Sequence, residues 1–230
     1  MPFSPLRRFW YAHIFVIALV MRFVYLAQAF HNNELLGIPI VDAEVYVNWA
    51  KGFLSGHWLW HEPSNYTPMY PLYLAGVFRI LGQEPDLIIL GRTAPALVFV
   101  VFHLLGAFQA VLIGRIAGLI RDRATGLVAG LLAAVYWPFI VFEASFYAEN
   151  LAVWTLSLGL FLLLLFRRDG RRGYLLLSGI ALAVACLCRV NALLSLAAIA
   201  GWIVWDTVRT LESRRVVHDP AAAAPGVARP

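Results

Sequence analysis

Apolar runs of about twenty residues recur along this chain, and they restrict the fold more than any other feature of the sequence. Of the 230 residues, 61% are hydrophobic and 13% are charged, whereas charged residues make up about 25% of an ordinary soluble domain. A run of about 20 apolar residues can cross the hydrocarbon core of a bilayer as a helix. The sequence therefore predicts an all-α integral membrane protein, because lipid offers the backbone no hydrogen-bond partners outside the helix.

These runs predict about six membrane-spanning helices. The first ends in Ala27-Gln28-Ala29, which also suits a signal-peptide cleavage site, but its length and the presence of Arg22 favour a span. Within the third, Gly126 and Gly130 have the four-residue spacing that lets helices pack closely. The predicted spans cover approximately residues 9–29, 87–113, 124–142, 151–166, 174–187 and 192–205.

The spans define a membrane module over residues 1–212 and a cytoplasmic tail over residues 213–230. The module contains a first loop, residues 30–86, that is too polar to be a span and too aromatic to be a disordered linker. We expect amphipathic helices in this loop to lie at the membrane interface, with their aromatic faces toward the bilayer. The Ala/Pro-rich tail is predicted to be disordered.

Arginine clusters predict the orientation of the spans. If the spans alternate in direction, the arginines at 7–8, 115–123, 167–172 and 209–215 share one side, and the acidic loop over residues 30–86 faces the other. Cytoplasmic loops of membrane proteins carry an excess of Lys and Arg. We therefore place the N-terminus in the cytoplasm, and the long loop, the 143–150 segment and Arg189 at the outer face. The net charge of +5 reflects this topology and does not indicate a nucleic-acid partner.

Two carboxylates, Asp42 and Glu44, begin a predicted helix that runs to about Ser55. Two residues along a helix turn through about 200°, so the two acids lie on different faces. Asp42 begins an aromatic stripe that includes Tyr46 and Trp49, whereas Glu44 begins the polar face. From the residues alone, Asp42 is either a helix N-cap or a base near the membrane, and Glu44 is a solvated first-turn acid.

Polar residues at the outer ends of the other spans are further site candidates. Arg22 and Arg189 interrupt apolar runs, so both are candidates for a polar contact, with snorkelling to lipid headgroups as the alternative for Arg22. Glu149, at the outer end of the fourth span, either organises the loop or is a solvated interfacial acid. His57 and His61 are four residues apart, but histidines beside interfacial tryptophans are common, so we predict no metal site.

Several short motifs resemble those of bacterial polytopic glycosyltransferases with the C-type fold, the relatives of protein O-mannosyltransferase and of the aminoarabinose transferase that modifies lipid A. The resemblance covers about residues 22–194. It departs from the family pattern where Ala43 separates two acids that are often adjacent, and where Val190 replaces a usual Pro. In chain order the motifs are Arg22-x-x-Tyr25-Leu26, Asp42-Ala43-Glu44-x-Tyr46, Pro68-x-Tyr70-Pro71-Leu72, Tyr136-Trp137-Pro138 with Phe142-Glu143, and Cys188-Arg189-Val190-Asn191.

The resemblance implies transfer of a sugar from a polyprenyl-phosphate donor to a lipid, glycan or protein acceptor at the outer face of the bacterial inner membrane. It assigns Asp42 as the catalytic base, with Glu44 in a supporting catalytic role. We predict no cofactor, and the sequence does not indicate a divalent metal. The other implied site residues are Arg189 and Arg22 for the donor phosphate, and Tyr46, Tyr70, Glu149 and Asn191 for the substrate.

Family members are usually considerably longer, so a second hypothesis is a catalytically incomplete member that acts as a membrane assembly subunit. A second membrane subunit would then complete the site, beside the expected partners, which are the lipid-phosphate sugar donor and membrane lipids. A transporter is disfavoured, because the span interiors hold few ionisable groups and the chain has no convincing repeat.

Overall fold

The structure, a computed structural model, describes residues 6–33, 36–57, 66–85 and 96–218, and these residues form helices joined by turns and short connections. The chain divides into two compact units, residues 1–190 and residues 191–230. The second unit contains only the last of the helices numbered here. The helices are α1 Leu6–Asn32, α2 Asp42–Leu54, α3 Met69–Leu81, α4 Ala96–Ile120, α5 Arg123–Val135, α6 Trp137–Glu143, α7 Glu149–Asp169, α8 Arg172–Cys188 and α9 Ala192–His218.

Four helices in the described residues are long and apolar enough to cross a membrane: Trp10–Asn32 within α1, α4, α7, and Ala192–Thr210 within α9. Together, α5 and α6 pass the same test as one span bent by 49°, which gives up to five. The predicted all-α membrane fold is thus confirmed, but the count is lower than six. The difference is α8, whose 17 residues extend about 26 Å, less than the roughly 30 Å of a hydrocarbon core.

Two predicted boundaries differ from the observed ones. α4 ends at Ile120 and not near residue 113, because apolar residues continue beyond Arg115. The predicted start of that span, at residue 87, lies outside the described residues. α9 continues to His218, so the first part of the predicted tail is helical, while residues 219–230 lie outside the described residues.

Close contacts at glycines pack α4 and α5 together and bring α1 against them, as the spacing of Gly126 and Gly130 predicts. A Cβ added to Gly126 would lie 2.6 Å from the carbonyl oxygen of Gly114. A Cβ added to Gly130 would lie 2.6 Å from Cδ1 of Ile14. Both distances are far shorter than van der Waals contact, so the α4 backbone can lie this close to Gly126, and the Ile14 side chain this close to Gly130, only because these residues are glycines.

The bend between α5 and α6 follows from Pro138, near the start of α6. Proline has no N–H, so the carbonyl oxygen of Ala134, four residues earlier, lacks its helical donor. The guanidinium of Arg22 replaces that donor, since its Nη1 lies 3.2 Å from the Ala134 oxygen. A side chain of α1 thus satisfies the carbonyl group at the break, where lipid could not do so.

Arginines late in α4 and at the start of α5 lie at the same end of the bundle as the first residues of α1. The guanidinium carbon of Arg123 is 4.3 Å from the ring centroid of Trp10, and that of Arg115 is 5.2 Å from the ring centroid of Tyr11. This placement agrees with the prediction that these arginines share one side of the membrane. The cytoplasmic assignment of that side stays a prediction.

The loop helices α2 and α3 pack against each other and join the core of the first unit. Tyr46 is 1% exposed and Tyr70 is fully buried, and both belong to one hydrophobic cluster with Phe99 and Phe146. The expectation that the aromatic face of this loop contacts the bilayer is therefore corrected for Tyr46 and Tyr70, because protein covers their rings. Glu44 is exposed on the polar face of α2, as its helical position predicts.

Candidate functional site

Asp42 begins α2, and its side chain is half-buried. The N-cap of this helix is Val41, and no side chain forms a capping hydrogen bond there, so Asp42 is not the cap. Its Oδ1 instead accepts a hydrogen bond from the hydroxyl of Tyr66 at 2.8 Å. This contact connects the start of α2 to the segment that precedes α3.

Val41, immediately before Asp42, has a strained backbone. Its φ of 54° and ψ of −121° form a conformation that β-branched residues avoid. Among the described residues it is the one non-glycine residue with a positive φ. Such strain costs on the order of 1–3 kcal/mol and is concentrated at functional sites. The strained residue immediately precedes Asp42, which is the position expected if Asp42 belongs to a functional site.

Thr67, the neighbour of Tyr66, connects the same segment to the end of α8. Its Oγ1 donates a hydrogen bond to the carbonyl oxygen of Cys188 at 2.7 Å. Cys188 is the last residue of α8, and Arg189 follows it in an extended conformation. Two consecutive side chains therefore bring Asp42 and Arg189 to one site, although the two residues are far apart in the sequence.

Arg189 forms an ion pair with Glu149, the first residue of α7, through its Nη2 and the Glu149 Oε1. The two side chains are 33% and 37% exposed, so the guanidinium remains accessible to a ligand. A guanidinium has five N–H donors in a planar arrangement that suits phosphate oxygens. The contact with the Glu149 carboxylate leaves several of these donors for a ligand, and it restricts the orientation of the guanidinium.

Tyr46 lies one helical turn after Asp42, and its ring packs edge-on against that of Tyr66, with a centroid distance of 5.5 Å. Burial raises the pKa of Tyr46 to about 12. The Arg189 guanidinium opposes this shift, and the carboxylates of Asp42 and Glu149 add to it. The Tyr46 hydroxyl therefore keeps its proton near neutral pH and remains a hydrogen-bond donor within the cluster.

The other predicted substrate contacts are placed differently. Tyr70 is fully buried beneath Tyr46, with ring centroids 5.0 Å apart, so it supports that ring and has no exposed surface of its own. Burial raises its pKa, and the nearby Tyr73, Tyr46 and Glu149 act in the same direction. Asn191 belongs to the second unit, where its carbonyl oxygen accepts a hydrogen bond from the N–H of Leu194 at 3.2 Å.

Arg22, predicted to bind the donor phosphate, is fully buried in the helix bundle. Its Nε and Nη2 donate to the two carboxylate oxygens of Glu143 at 2.7 and 2.9 Å. Its Nη1 lies 3.2 Å from the carbonyl oxygens of both Ala18 and Ala134. A Cβ at Gly106 would collide with the Glu143 carboxylate. The placement supports a structural ion pair for Arg22 and gives no support to phosphate binding.

No group of three or more His, Cys, Asp or Glu side chains within the described ranges is placed to hold a metal ion. The exposed His57 lies near Ser55, its Nδ1 3.4 Å from the Ser55 Oγ. His61, the other member of the His57/His61 pair, lies outside the described residues. The absence of a metal cofactor stays a prediction.

The sequence patterns did not reveal Tyr66, Thr67 or Glu143 as partners in these contacts. Tyr66 and Thr67 lie between the loop helices, where no periodicity relates them to the residues that they contact. Glu143 could have been found, because a glutamate and the buried Arg22 occur near the same end of two apolar helices. Charged groups at such depth are expected to pair with one another.

The membrane-spanning helices and the site formed by Asp42 and Arg189 define the class of this protein. It is a polytopic membrane protein that holds a carboxylate and an arginine together at one end of a helix bundle. Residues 65–224, more than two thirds of the chain, match the family described as dolichyl-phosphate-mannose-protein mannosyltransferase, and the chain belongs to this family. Membership implies glycosyl transfer from a polyprenyl-phosphate-linked sugar donor within a membrane. The matched range includes Glu149 and Arg189 and begins after Asp42. No curated protein and no solved structure matches the chain significantly.

Proposed function

We propose that this protein transfers a sugar from a polyprenyl-phosphate donor to a hydroxyl group of a lipid, glycan or protein at the outer face of the bacterial plasma membrane. The arginine clusters support a cytoplasmic N-terminus in this proposal, because cytoplasmic loops carry an excess of Lys and Arg. The observation that best supports the proposal is the bridge formed by Tyr66 and Thr67. It connects the Asp42 carboxylate to the carbonyl group of Cys188, the residue immediately before the accessible guanidinium of Arg189, and such a transfer needs both a carboxylate and a cation.

Asp42 acts as the general base in this proposal. The acceptor oxygen attacks the anomeric carbon, and the bond from that carbon to the phosphate oxygen breaks. The acceptor proton passes to the Asp42 carboxylate. Tyr66 occupies one oxygen of this carboxylate, so we assign the acceptor to the other.

Arg189 stabilises the departing polyprenyl phosphate, on which negative charge develops as the bond to the sugar breaks. Glu149 orients the guanidinium through the ion pair. Tyr46 is kept as a substrate contact through its protonated hydroxyl alone, because protein covers its ring. Glu44, exposed on the opposite face of α2, has a supporting role at most. A substrate contact by Asn191 stays a prediction.

The test uses the full-length protein in vesicles with radiolabelled polyprenyl-phosphate mannose and a mixture of membrane lipids, glycans and peptides as acceptors. Asp42→Asn should lower transfer by about 100-fold or more, because the base is lost and the side-chain shape is kept. The matched control is Glu84→Gln, which makes the same chemical change at an exposed residue of the same loop. The control should keep transfer within about two-fold of wild type.

Transfer that survives in Asp42→Asn would contradict the assignment of the base. A loss in Glu44→Gln as large as that in Asp42→Asn would instead make Glu44 the principal carboxylate. A folded wild-type protein that transfers no sugar from any donor would favour the second hypothesis, an assembly subunit without activity of its own.

A further inference from the structure

A cavity of about 250 Å³ lies between α4, α6 and α7, next to the Arg189–Glu149 pair. Its wall on α4 is formed by residues between Phe102 and Gln109, which recur at the three- and four-residue spacing of one helix face. Its wall on α7 is formed by residues between Glu149 and Trp154. These ranges extend about 10 Å and about 7.5 Å along their helices. The cavity therefore reaches from the candidate site into the membrane-spanning part of the bundle.

The size and composition of the cavity suit part of a lipid chain. Its volume corresponds to about eight water molecules at about 30 Å³ each, and it is slightly below the range of about 300–1,000 Å³ that is typical of sites for drug-sized ligands. Most of its lining is apolar or aromatic, contributed by residues such as Phe139, Phe142 and Val153. A segment of a single hydrocarbon chain fits these properties better than a whole lipid does.

Three polar atoms of the residues that line this cavity are buried and have no hydrogen-bond partner in the described part of the chain: Gln109 Oε1, Trp154 Nε1 and Glu149 Oε2. Gln109 is 5% exposed, and its Nε2 donates to the Ser157 Oγ at 2.7 Å, which orients the amide group. Buried polar atoms in native proteins nearly always have a partner. The three atoms belong to residues of one lining, and a small adjustment of these side chains on binding lets a ligand with polar groups of its own pair with them.

The charges of the lining identify the kind of polar group. Among the described residues that line the cavity there is no lysine, arginine or histidine. Its two carboxylates, Glu143 and Glu149, are already paired with arginines outside the lining. An anionic headgroup in the cavity would meet carboxylates without a cation of its own. A hydroxyl group is both a donor and an acceptor, so it complements the Gln109 carbonyl and the Trp154 N–H together.

We propose that this cavity binds the chain of a neutral lipid that carries a hydroxyl group. The apolar walls contact the chain, and the hydroxyl donates to Gln109 and accepts from Trp154. The phosphate of a lipid-phosphate donor stays outside, near Arg189. This binding site is distinct from the transfer reaction, and it does not depend on the role assigned to Asp42.

The test uses hexadecanol with a photoreactive diazirine in its chain, added to phosphatidylcholine vesicles that contain the full-length protein. Two matched probes share the chain: the methyl ether, which cannot donate a hydrogen bond, and the phosphate monoester, which is anionic. After irradiation, mass spectrometry locates the labelled residues. We expect the alcohol to label residues 102–109 and 149–154 about five-fold more than either matched probe, the ratio that corresponds to about 1 kcal/mol for one hydrogen bond.

Variants test the two polar contacts separately. Gln109→Leu removes the carbonyl that accepts from the hydroxyl, so it should lower labelling by the alcohol about five-fold and leave labelling by the ether unchanged. Trp154→Phe removes an N–H that can donate to the oxygen of either probe, so it should lower labelling by the alcohol and by the ether about five-fold each. Val153→Trp fills the cavity and should lower labelling by the alcohol and the ether alike. The control is Phe108→Leu, next to Gln109 on α4 but 54% exposed, and it should label as wild type does.

Equal labelling by the alcohol and the ether would overturn the role of the hydroxyl, and equal labelling by the phosphate ester would overturn the preference for a neutral lipid. Undiminished labelling in Val153→Trp would overturn the location. Circular dichroism and gel filtration identify a variant that misfolds. If Gln109→Leu or Trp154→Phe misfolds, the other of the two tests the polar contact. Labelling as expected in a protein that transfers no sugar would support this site and overturn only the proposed reaction.

Discussion

Removal of the Arg22 guanidinium should destabilise the helix bundle more than any other change to a single arginine described here. Arg22→Met keeps much of the apolar stem and leaves the Glu143 carboxylate buried without its bidentate partner. Breaking a buried ion pair from one side costs about 3–5 kcal/mol. The Ala134 carbonyl, which Pro138 deprives of its helical donor, also loses its replacement, at a cost of about 1–3 kcal/mol. Because these terms overlap, we expect a loss of about 4 kcal/mol in the free energy of unfolding.

A double variant separates the ion pair from the packing. Arg22→Met combined with Glu143→Leu replaces the two charges with apolar groups, and such replacements are often close to neutral. The remaining cost should be about 1–2 kcal/mol for the unpaired Ala134 carbonyl. Glu143→Leu alone leaves the Arg22 guanidinium buried without its carboxylate, at a cost of about 3–5 kcal/mol. The two single losses together should therefore exceed the loss in the double variant by about 5–8 kcal/mol, which is the coupling energy.

A change at Pro138 tests the explanation of the bend itself. Pro138→Ala restores an N–H that can bond to the Ala134 carbonyl, so in this background Arg22→Met should cost about 1 kcal/mol less. The measurement is unfolding in mixed micelles as the denaturing detergent is increased, followed by circular dichroism. Arg79→Met, at an exposed arginine of α3, is the control and should change stability by less than about 0.5 kcal/mol.

Two results would refute this reasoning. A loss of less than about 1 kcal/mol in Arg22→Met would show that the buried pair does not support the bundle. Strictly additive effects of Arg22→Met and Glu143→Leu would show that the two side chains do not interact across the helices.

Three further predictions concern the backbone, the site and the helix contacts. Val41→Gly should stabilise the protein by about 1 kcal/mol, since glycine tolerates this positive φ. The measurement is the free energy of unfolding, and a decrease in it would show that the Val41 backbone is not strained. Tyr66→Phe should lower sugar transfer about ten-fold at unchanged thermal stability, because Asp42 loses the hydrogen bond that orients it; unchanged transfer would remove Tyr66 from the site. Gly126→Ala should lower the free energy of unfolding by about 1–3 kcal/mol, because the added Cβ meets backbone atoms. Its control, Gly179→Ala, should be neutral or slightly stabilising, because nothing lies within 4 Å of the added Cβ. Equal losses of stability in the two variants would contradict the close approach at Gly126.

The residues of α2 illustrate how much of the candidate site local patterns predict. Helical spacing alone separates Asp42 from Glu44, and the structure places Glu44 on the exposed face and Asp42 in a half-buried position. The same pattern did not show what covers the aromatic face. Periodicity identifies an apolar side of a helix, but lipid and protein cover such a side equally well. The burial of Tyr46 and Tyr70 depends on α3 and on the core of the first unit.

Arg22 and Glu143 illustrate the opposite case. The sequence shows an arginine inside an apolar run, and that fact is equally compatible with snorkelling, phosphate binding and an ion pair. The choice depends on a residue 121 positions away and on the space that Gly106 leaves beside it. No local property of the first span contains that information.

The sequence by itself determined that this protein is an all-α membrane protein and that Gly126 and Gly130 form a close contact, although it counted α8 as a span that its length does not support. These properties follow from hydropathy and periodicity, which act over one or two helical turns. Only the tertiary structure decided that Tyr66 contacts Asp42, that Thr67 contacts the end of α8, and that Arg22 forms a buried ion pair with Glu143. Such contacts depend on how distant helices pack, because a side chain finds its polar partner among whatever groups the packed bundle brings within about 3 Å.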